Sequence, residues 1–368
     1  MMEPYRPPRP RRRGRADAWR KSLAALLLAG AGFGAAAQAS PPPSQQLRIV
    51  GGLAGVNQFV QHEQPFWTRT LPEISNGRYS AAIVPFDRAG IPAQDMVRLM
   101  QMGVIPFGTI PLSRVAPQEA VFSAADLAGL NPDIATLKTT LAAFRPYLEN
   151  TLRQRYGIEL LAIYTYPAQM VFCNRPITRL EDLAGRRVRV SGTTLGDFVR
   201  AFGAIPVVTV MNDLLPQIRK GNVSCAITGT MTGNTLGLHE VTTHIYAMPI
   251  TWGLSMFGAN LDSWIALEPE LRVALRDALP RLEARIWAAS EQATLDGLAC
   301  NTGAAGCRLG RKGSMTAVPM DPRDQQRLRD IVQSHILPSW LRRCGPECAT
   351  IWNQTIAPVR GITAPGAS

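Results

Sequence analysis

The stretch that most limits the possible folds is residues 158–172, Ile-Glu-Leu-Leu-Ala-Ile-Tyr-Thr-Tyr-Pro-Ala-Gln-Met-Val-Phe. Its apolar and aromatic residues favour an extended chain, but it is far longer than the ~5–6 residues of a common strand. Pro167 also cannot donate to a ladder in mid-sheet. A crossing from one sheet to another accounts for both features. Strands and helices alternate on each side of it. Before it, strands are expected at 47–50, 79–86 and 103–110. Between them come a helical region at 58–74 interrupted by Pro65 and a helix at 92–102 with Met96, Leu99 and Met100 on one face. Helices follow at 124–129 and 134–155, the latter burying Leu141, Phe144, Leu148 and Leu152 and stopping at Gly157. After it, strands at 188–190, 206–208 and 222–228 alternate with helices at 194–202 and 213–220. Residues 246–258 read as a return crossing, 263–290 as a long helical region kinked at Pro280, and 321–340 as a C-terminal helix. Alternation of this kind gives right-handed βαβ units and parallel sheets. At 368 residues the chain exceeds the size at which a single core keeps growing. The expectation is an α/β fold of two lobes with crossing strands, a long helix and a ligand cleft between the lobes.

Residues 175–190 read Arg-Pro-Ile-Thr-Arg-Leu-Glu-Asp-Leu-Ala-Gly-Arg-Arg-Val-Arg-Val. Pro176 forbids helix just before Thr178, which suits an N-cap, and Gly185 ends the turn that follows. Arg187-Val188-Arg189-Val190 then alternates at the strand period. One reading is a surface edge strand with two solvated arginines. The other is that Arg189, at a strand end, offers its planar fork to an anion. Further along come Phe198 to Gly203, Ile205-Pro206-Val207 and the run from Asn212 to Gly221. His244-Ile245-Tyr246 and Asn260 with Trp264 and Leu267 come after these.

In order and spacing, these segments resemble the solute-binding proteins of tripartite ATP-independent periplasmic (TRAP) transporters, over roughly residues 47–287. The resemblance implies a two-lobed periplasmic binding protein that closes on its solute by a hinge, captures a small organic carboxylate and delivers it to TRAP-type permease subunits in the membrane. Arg189 would pair the carboxylate. Gly51, Gly52, Tyr166, Thr228, Thr230, Asn234 and Trp252 would complete the site. Gly51-Gly52 follows the first strand, where backbone can approach a ligand closely. The segment from Thr228 to Asn234 follows a strand and offers hydroxyl and backbone donors, or else is an ordinary polar turn. The sequence departs from the family pattern at Ser224, where an acid is usual, and at Ile227-Thr228, where Glu-Asn is common. Lobe I is expected at 47–165 with 249–290 returning across the hinge, lobe II at 166–248, and a disulfide-containing helical segment at 291–368.

Residues 1–39 carry Arg11, Arg12, Arg13, Arg15, Arg20 and Lys21 ahead of an apolar run that ends in Ala37-Gln38-Ala39, the pattern of a cleaved export signal. The triple arginine also leaves a twin-arginine route open. The segment holds half of the net charge of +12, and the remaining residues have no basic run interleaved with aromatics, so nucleic acid is not an expected partner. A periplasmic location and a monomer or dimer are expected.

No catalytic or metal constellation stands out, and no cofactor is expected. His62, His239, His244 and His335 lack ligand spacing. Gly253-Leu254-Ser255-Met256-Phe257-Gly258 misses a nucleophile elbow by one residue, and Gly30 to Gly34 has no strand–helix context for a dinucleotide. The cysteines number six, an even count that suits disulfides in an exported chain. Local pairing would join Cys300 with Cys307 and Cys344 with Cys348, leaving Cys173 with Cys225. A zinc site made from the last four is the alternative. A two-lobed periplasmic enzyme, a ligand-sensing subunit, or a structural protein with an empty cleft are the rival functions.

Overall fold

The computed structural model describes residues 45–209 and 213–365. Residues 1–39, read above as an export signal, and Asn212 of the family-like run lie outside the described residues. Eleven strands among these residues form two sheets. The strands are β1 (Gln45–Gly51), β2 (Tyr79–Pro85), β3 (Phe107–Pro111), β4 (Ile158–Thr165), β5 (Gln169–Cys173), β6 (Arg187–Val190), β7 (Ile205–Val208), β8 (Cys225–Gly229), β9 (His244–Thr251), β10 (Leu254–Asn260) and β11 (Thr316–Pro319).

The first sheet has the order β2-β1-β3-β10-β4, and the second has the order β11-β9-β5-β8-β6-β7. β1 runs parallel to β2 and β3, and β8, β6 and β7 run parallel to one another, as the alternating pattern requires. β10, β4, β5 and β9 supply the antiparallel pairings. These four strands are the crossings. β4 leaves the first sheet and continues through Tyr166–Ala168 as β5 of the second, while β9 returns through Trp252-Gly253 as β10. Fifteen extended residues therefore serve two sheets, and Pro167 sits at the break, where no ladder partner is needed.

The helix Ile134–Tyr156 packs on β4. Asp133 caps it by accepting from the Thr136 N–H at 2.7 Å, and Gly157 ends it in the left-handed region at φ 58°. Ile134, Leu137, Leu141, Phe144, Leu148 and Leu152 form its buried face.

The structure differs from the sequence reading at several points. The long helical region breaks at residues 266–268 and resumes as one 34-residue helix, Pro269–Thr302, with Pro280 inside it. It touches both lobes, packing on β4 and on the helix Thr230–Leu236. The segment from Thr228 onward is not a polar turn: from Thr230 it is that helix, ended by Gly237 at φ 87°. Residues after 302 are spread over the fold. β11 extends the second sheet, and the helices Leu337–Cys344 and Glu347–Thr355 pack beside Ala120–Asp126 and Ile134–Tyr156.

The six cysteines form three disulfides, Cys173–Cys225, Cys300–Cys307 and Cys344–Cys348. Cys173 and Cys225 face each other directly in the β5–β8 ladder. The four sulfurs of the zinc alternative are thus spent as disulfides. No described helix is long and apolar enough to cross a membrane.

Candidate functional site

Arg189 is the third residue of β6, paired with Val207 on one side and Ala226 on the other. β6 is an inner strand, so the edge-strand reading fails, and Arg189 is only 4% exposed. Its guanidinium is held by backbone carbonyls beyond its ladder partners. Nε and Nη2 donate to Thr209 O at 3.3 Å each, and Nη1 donates to Ile227 O at 3.1 Å. A guanidinium has five N–H groups. Three have partners among the described residues, which leaves one on each terminal nitrogen for an anion. Arg187, two residues earlier, is exposed and donates to Asn222 O at 2.7 Å.

No acid pairs with Arg189 or with Arg114 among the described residues. Arg114 lies in the short helix Leu112–Val115 after β3 and lines the same cavity. Burial, and then the charge of Arg114, lower the Arg189 pKa to about 10, so it stays protonated at neutral pH. The cavity measures about 230 Å³. Leu53, Val56, Phe86 and Pro111 wall it from the first lobe, Tyr166 and Gly253 from the crossings, and Gln169, Ser191, Thr228 and Thr232 from the second lobe. Leu53, Phe86, Pro111, Ser191 and Thr228 lie at or just past the C-terminal ends of strands with parallel partners, where open α/β sheets bind ligands. A neighbouring cavity of about 450 Å³ shares Leu53, Val56, Asp87, Tyr166 and Thr232 with it.

Of the residues expected in the site, Arg189, Thr228 and Tyr166 line the cavity; the others do not. Thr230 is fully buried and its hydroxyl donates to Thr294 O at 2.9 Å, tying its helix to Pro269–Thr302. Asn234 is buried, donating to Arg311 O and accepting from the Arg311 N–H, each at 2.8 Å. Trp252 is buried, with Nε1 donating to Asn131 O at 3.1 Å. Gly51 and Gly52 are small because protein, not ligand, comes close. A Cβ on Gly51 would stand 2.5 Å from the Phe59 ring, and one on Gly52 would stand 2.7 Å from Glu63 Oε1.

Three contributors escaped the sequence reading. Arg114 sits just past β3, and that position at a strand's C-terminal end was its available signal. Asp126 accepts from the Gly253 N–H at 2.7 Å and the Trp252 N–H at 3.2 Å, clamping the return crossing. Burial raises its carboxyl pKa to about 7 against the pull of these N–H donors. Gly192, after β6, lies against Ser113 of the first lobe. A Cβ there would be 3.2 Å from Ser113 Cβ and 3.3 Å from its carbonyl oxygen. Among the described residues, no group of three or more His, Cys, Asp or Glu could hold a metal ion. The arrangement provides a fixed cationic fork in a small cavity between two lobes.

The model of the family described as bacterial extracellular solute-binding protein, family 7, matches residues 53–302. A curated relative, the ectoine-binding periplasmic protein TeaA of Halomonas elongata, is 25% identical over 128 residues. That match spans 34% of this chain and 38% of the relative's length. Solved structures share the fold. The Bordetella pertussis receptor DctP7, which binds pyroglutamic acid, aligns with a TM-score of 0.74 at 18% identity over 84% of this chain and 99% of its own. A TRAP solute-binding protein of Desulfovibrio salexigens with bound orotic acid gives 0.74 at 18% identity over 86% and 100%. One of Haemophilus influenzae with bound L-gulonate gives 0.71 at 14% identity over 87% and 100%.

Proposed function

The chain belongs to the bacterial extracellular solute-binding proteins of family 7, and from that premise we propose that it captures a small organic carboxylate in the cleft and hands it to the membrane subunits of a TRAP-type permease. The observation that carries this reading is Arg189. It is buried, fixed by three hydrogen bonds to carbonyls, has two N–H groups left over, and has no acidic partner among the described residues. Leaving such a cation buried is costly unless an anion arrives to pair with it. The lobes supply the second half of the function. Two crossings and one shared helix let them close over the solute, and the carboxylate draws contacts from both sides.

The protein acts as a receptor outside the cytoplasm and has no turnover of its own. Thr228 and Tyr166 would complete the first contacts, with Gln169 and Ser191 offering further polar groups around the acid. The similar proteins of known structure bind pyroglutamic acid, orotic acid and L-gulonate, each an organic acid, which supports the class of solute.

Native mass spectrometry of the purified protein, followed by denaturation and identification of what is released, tests the reading. A stoichiometric small acid is expected, and it should be absent from an Arg189→Gln preparation. A chemically altered product accumulating from the added acid would support the enzyme reading instead.

A further inference from the structure

The two neighbouring cavities differ in charge. Arg114 and Arg189 line the first, and neither lines the second. Among the described residues Asp87 is the one acid in the lining of either, and it stands in the wall that both share. The second chamber has many other polar residues, including Asn57, Gln61, Thr232, Thr235 and Gln292, but these are uncharged. Apart from the Tyr166 hydroxyl, which burial keeps protonated, His62 is the remaining titratable group there. Burial, and then the charge of Arg285, lower the His62 pKa, so it is neutral at neutral pH. Arg285 itself is exposed and outside that lining.

Asp87 lies just past the end of β2. The Ala54 N–H donates to its Oδ1 at 2.9 Å, which holds the carboxylate to the loop after β1. Its other oxygen accepts no hydrogen bond among the described residues, and its charge makes no ion pair with Arg114, Arg189 or any other base there. The cleft thus presents two arginines and one carboxylate that do not neutralise each other. Charges of opposite sign held apart in one cleft are complementary to a solute that carries both signs itself. A second carboxylate on the solute would instead face Asp87 as a like charge.

We infer that the solute is a zwitterion, with its carboxylate on the Arg189 fork and an ammonium or other cationic nitrogen at Asp87. Tyr166 lines both chambers too, and an aromatic face attracts a cation. The inference rests on the reading of the cleft as a carboxylate site and narrows the solute to acids of the amino-acid or betaine type. Asp87 is exposed, so its contact is screened while the cleft is wet and strengthens as the lobes close and water leaves.

Calorimetric titration with two matched sets of probes tests it: 4-aminobutanoate, butanoate and succinate, and 6-aminohexanoate, hexanoate and adipate. In the set whose length suits the cleft, the amino acid should bind about tenfold more tightly than the monoacid, and the diacid should bind more weakly than either. Asp87→Asn keeps a carbonyl for the Ala54 N–H and should lower the ratio of amino-acid to monoacid affinity about tenfold, to near one. The probe comparison in the unaltered protein does not depend on that variant folding. A monoacid or diacid binding tightest in both sets, with the affinity lost in Arg189→Gln, would overturn this inference while the carboxylate reading stands. An amino-acid preference that survives Asp87→Asn would also overturn it. Binding of the amino acids that is unchanged in Arg189→Gln would remove the carboxylate reading and this inference with it. If no probe of either set binds, this inference falls, and the carboxylate reading is decided separately by the acid released on denaturation.

Discussion

Arg114 and Arg189 face one cavity from different lobes, Arg114 from the helix after β3 and Arg189 from β6, and neither has an acidic partner among the described residues. Two like charges across a hinge repel, and the repulsion falls when an anion lies between them. On the proposed reading, the same pair would attract the solute and oppose closure without it.

Arg189→Gln should weaken binding of the native acid by roughly thirty- to several-thousand-fold, since losing one partner of a desolvated pair costs about 2–5 kcal/mol. Arg189→Lys should also bind more weakly, because an ammonium cannot hold Thr209 O, Ile227 O and a carboxylate in one plane. Arg187→Gln is the control. Its side chain is exposed, so the affinity should change by less than about threefold. Calorimetry on the three variants, with circular dichroism to check the fold, decides between a ligand arginine and a structural one.

Arg114 is half-buried and makes no ion pair among the described residues, so its contribution is to long-range attraction. Arg114→Gln should slow association about three- to thirtyfold at low salt, with the difference shrinking as salt screens the charge. Stopped-flow rates across a salt series test this. A variant whose rate matches the parent at every ionic strength would show that Arg114 has no part in capture.

Gly192 meets Ser113 where the lobes touch. Its φ of −163° is open to any residue, so the constraint here is space. Gly192→Val should hold the lobes apart, weakening binding roughly tenfold or more through an overpacking cost of about 1–3 kcal/mol. Small-angle scattering of the ligand-saturated variant should give a larger radius of gyration than the ligand-saturated parent. Equal radii would show that the contact does not limit closure.

Asp126 has a folded pKa of about 7, raised from an ordinary value near 3.8. A carboxyl whose pKa is raised on folding binds its proton more tightly in the folded state. Its contribution is therefore most favourable below about pH 4 and declines as pH rises toward 7. Asp126→Asn removes the titration while keeping a carbonyl for the Trp252 and Gly253 N–H groups. The melting temperature of the variant relative to the parent should increase between pH 5 and pH 8. Because Glu63, also raised by burial, is common to both proteins, it cancels in that difference. A difference that falls over this range would contradict the prediction.

Local sequence determined the succession of strands and helices and the two crossings, and it singled out Arg189 as a candidate ligand residue. Each is written in a short window: alternating Arg and Val, a Gly that stops a helix, or an extended run broken by Pro167. The helix from Thr230 to Leu236 was hidden because Thr-Met-Thr-Gly-Asn has weak helix propensity and is held in place by contacts far along the chain. Thr230 bonds a carbonyl 64 residues away and Asn234 one 77 residues away. Those distant partners are also why both residues support the fold beside the cleft instead of lining it. Gly51 and Gly52 carry the same lesson, since the Phe59 ring and Glu63, not a ligand, fill the space that the glycines leave. Arg114 and Asp126 became functional candidates only when packing set a second lobe and a crossing strand against them. Sequence fixes which groups the chain carries and its local periodicity, whereas long-range burial and hydrogen bonding decide which of those groups are used up within the fold and which remain free to meet a solute.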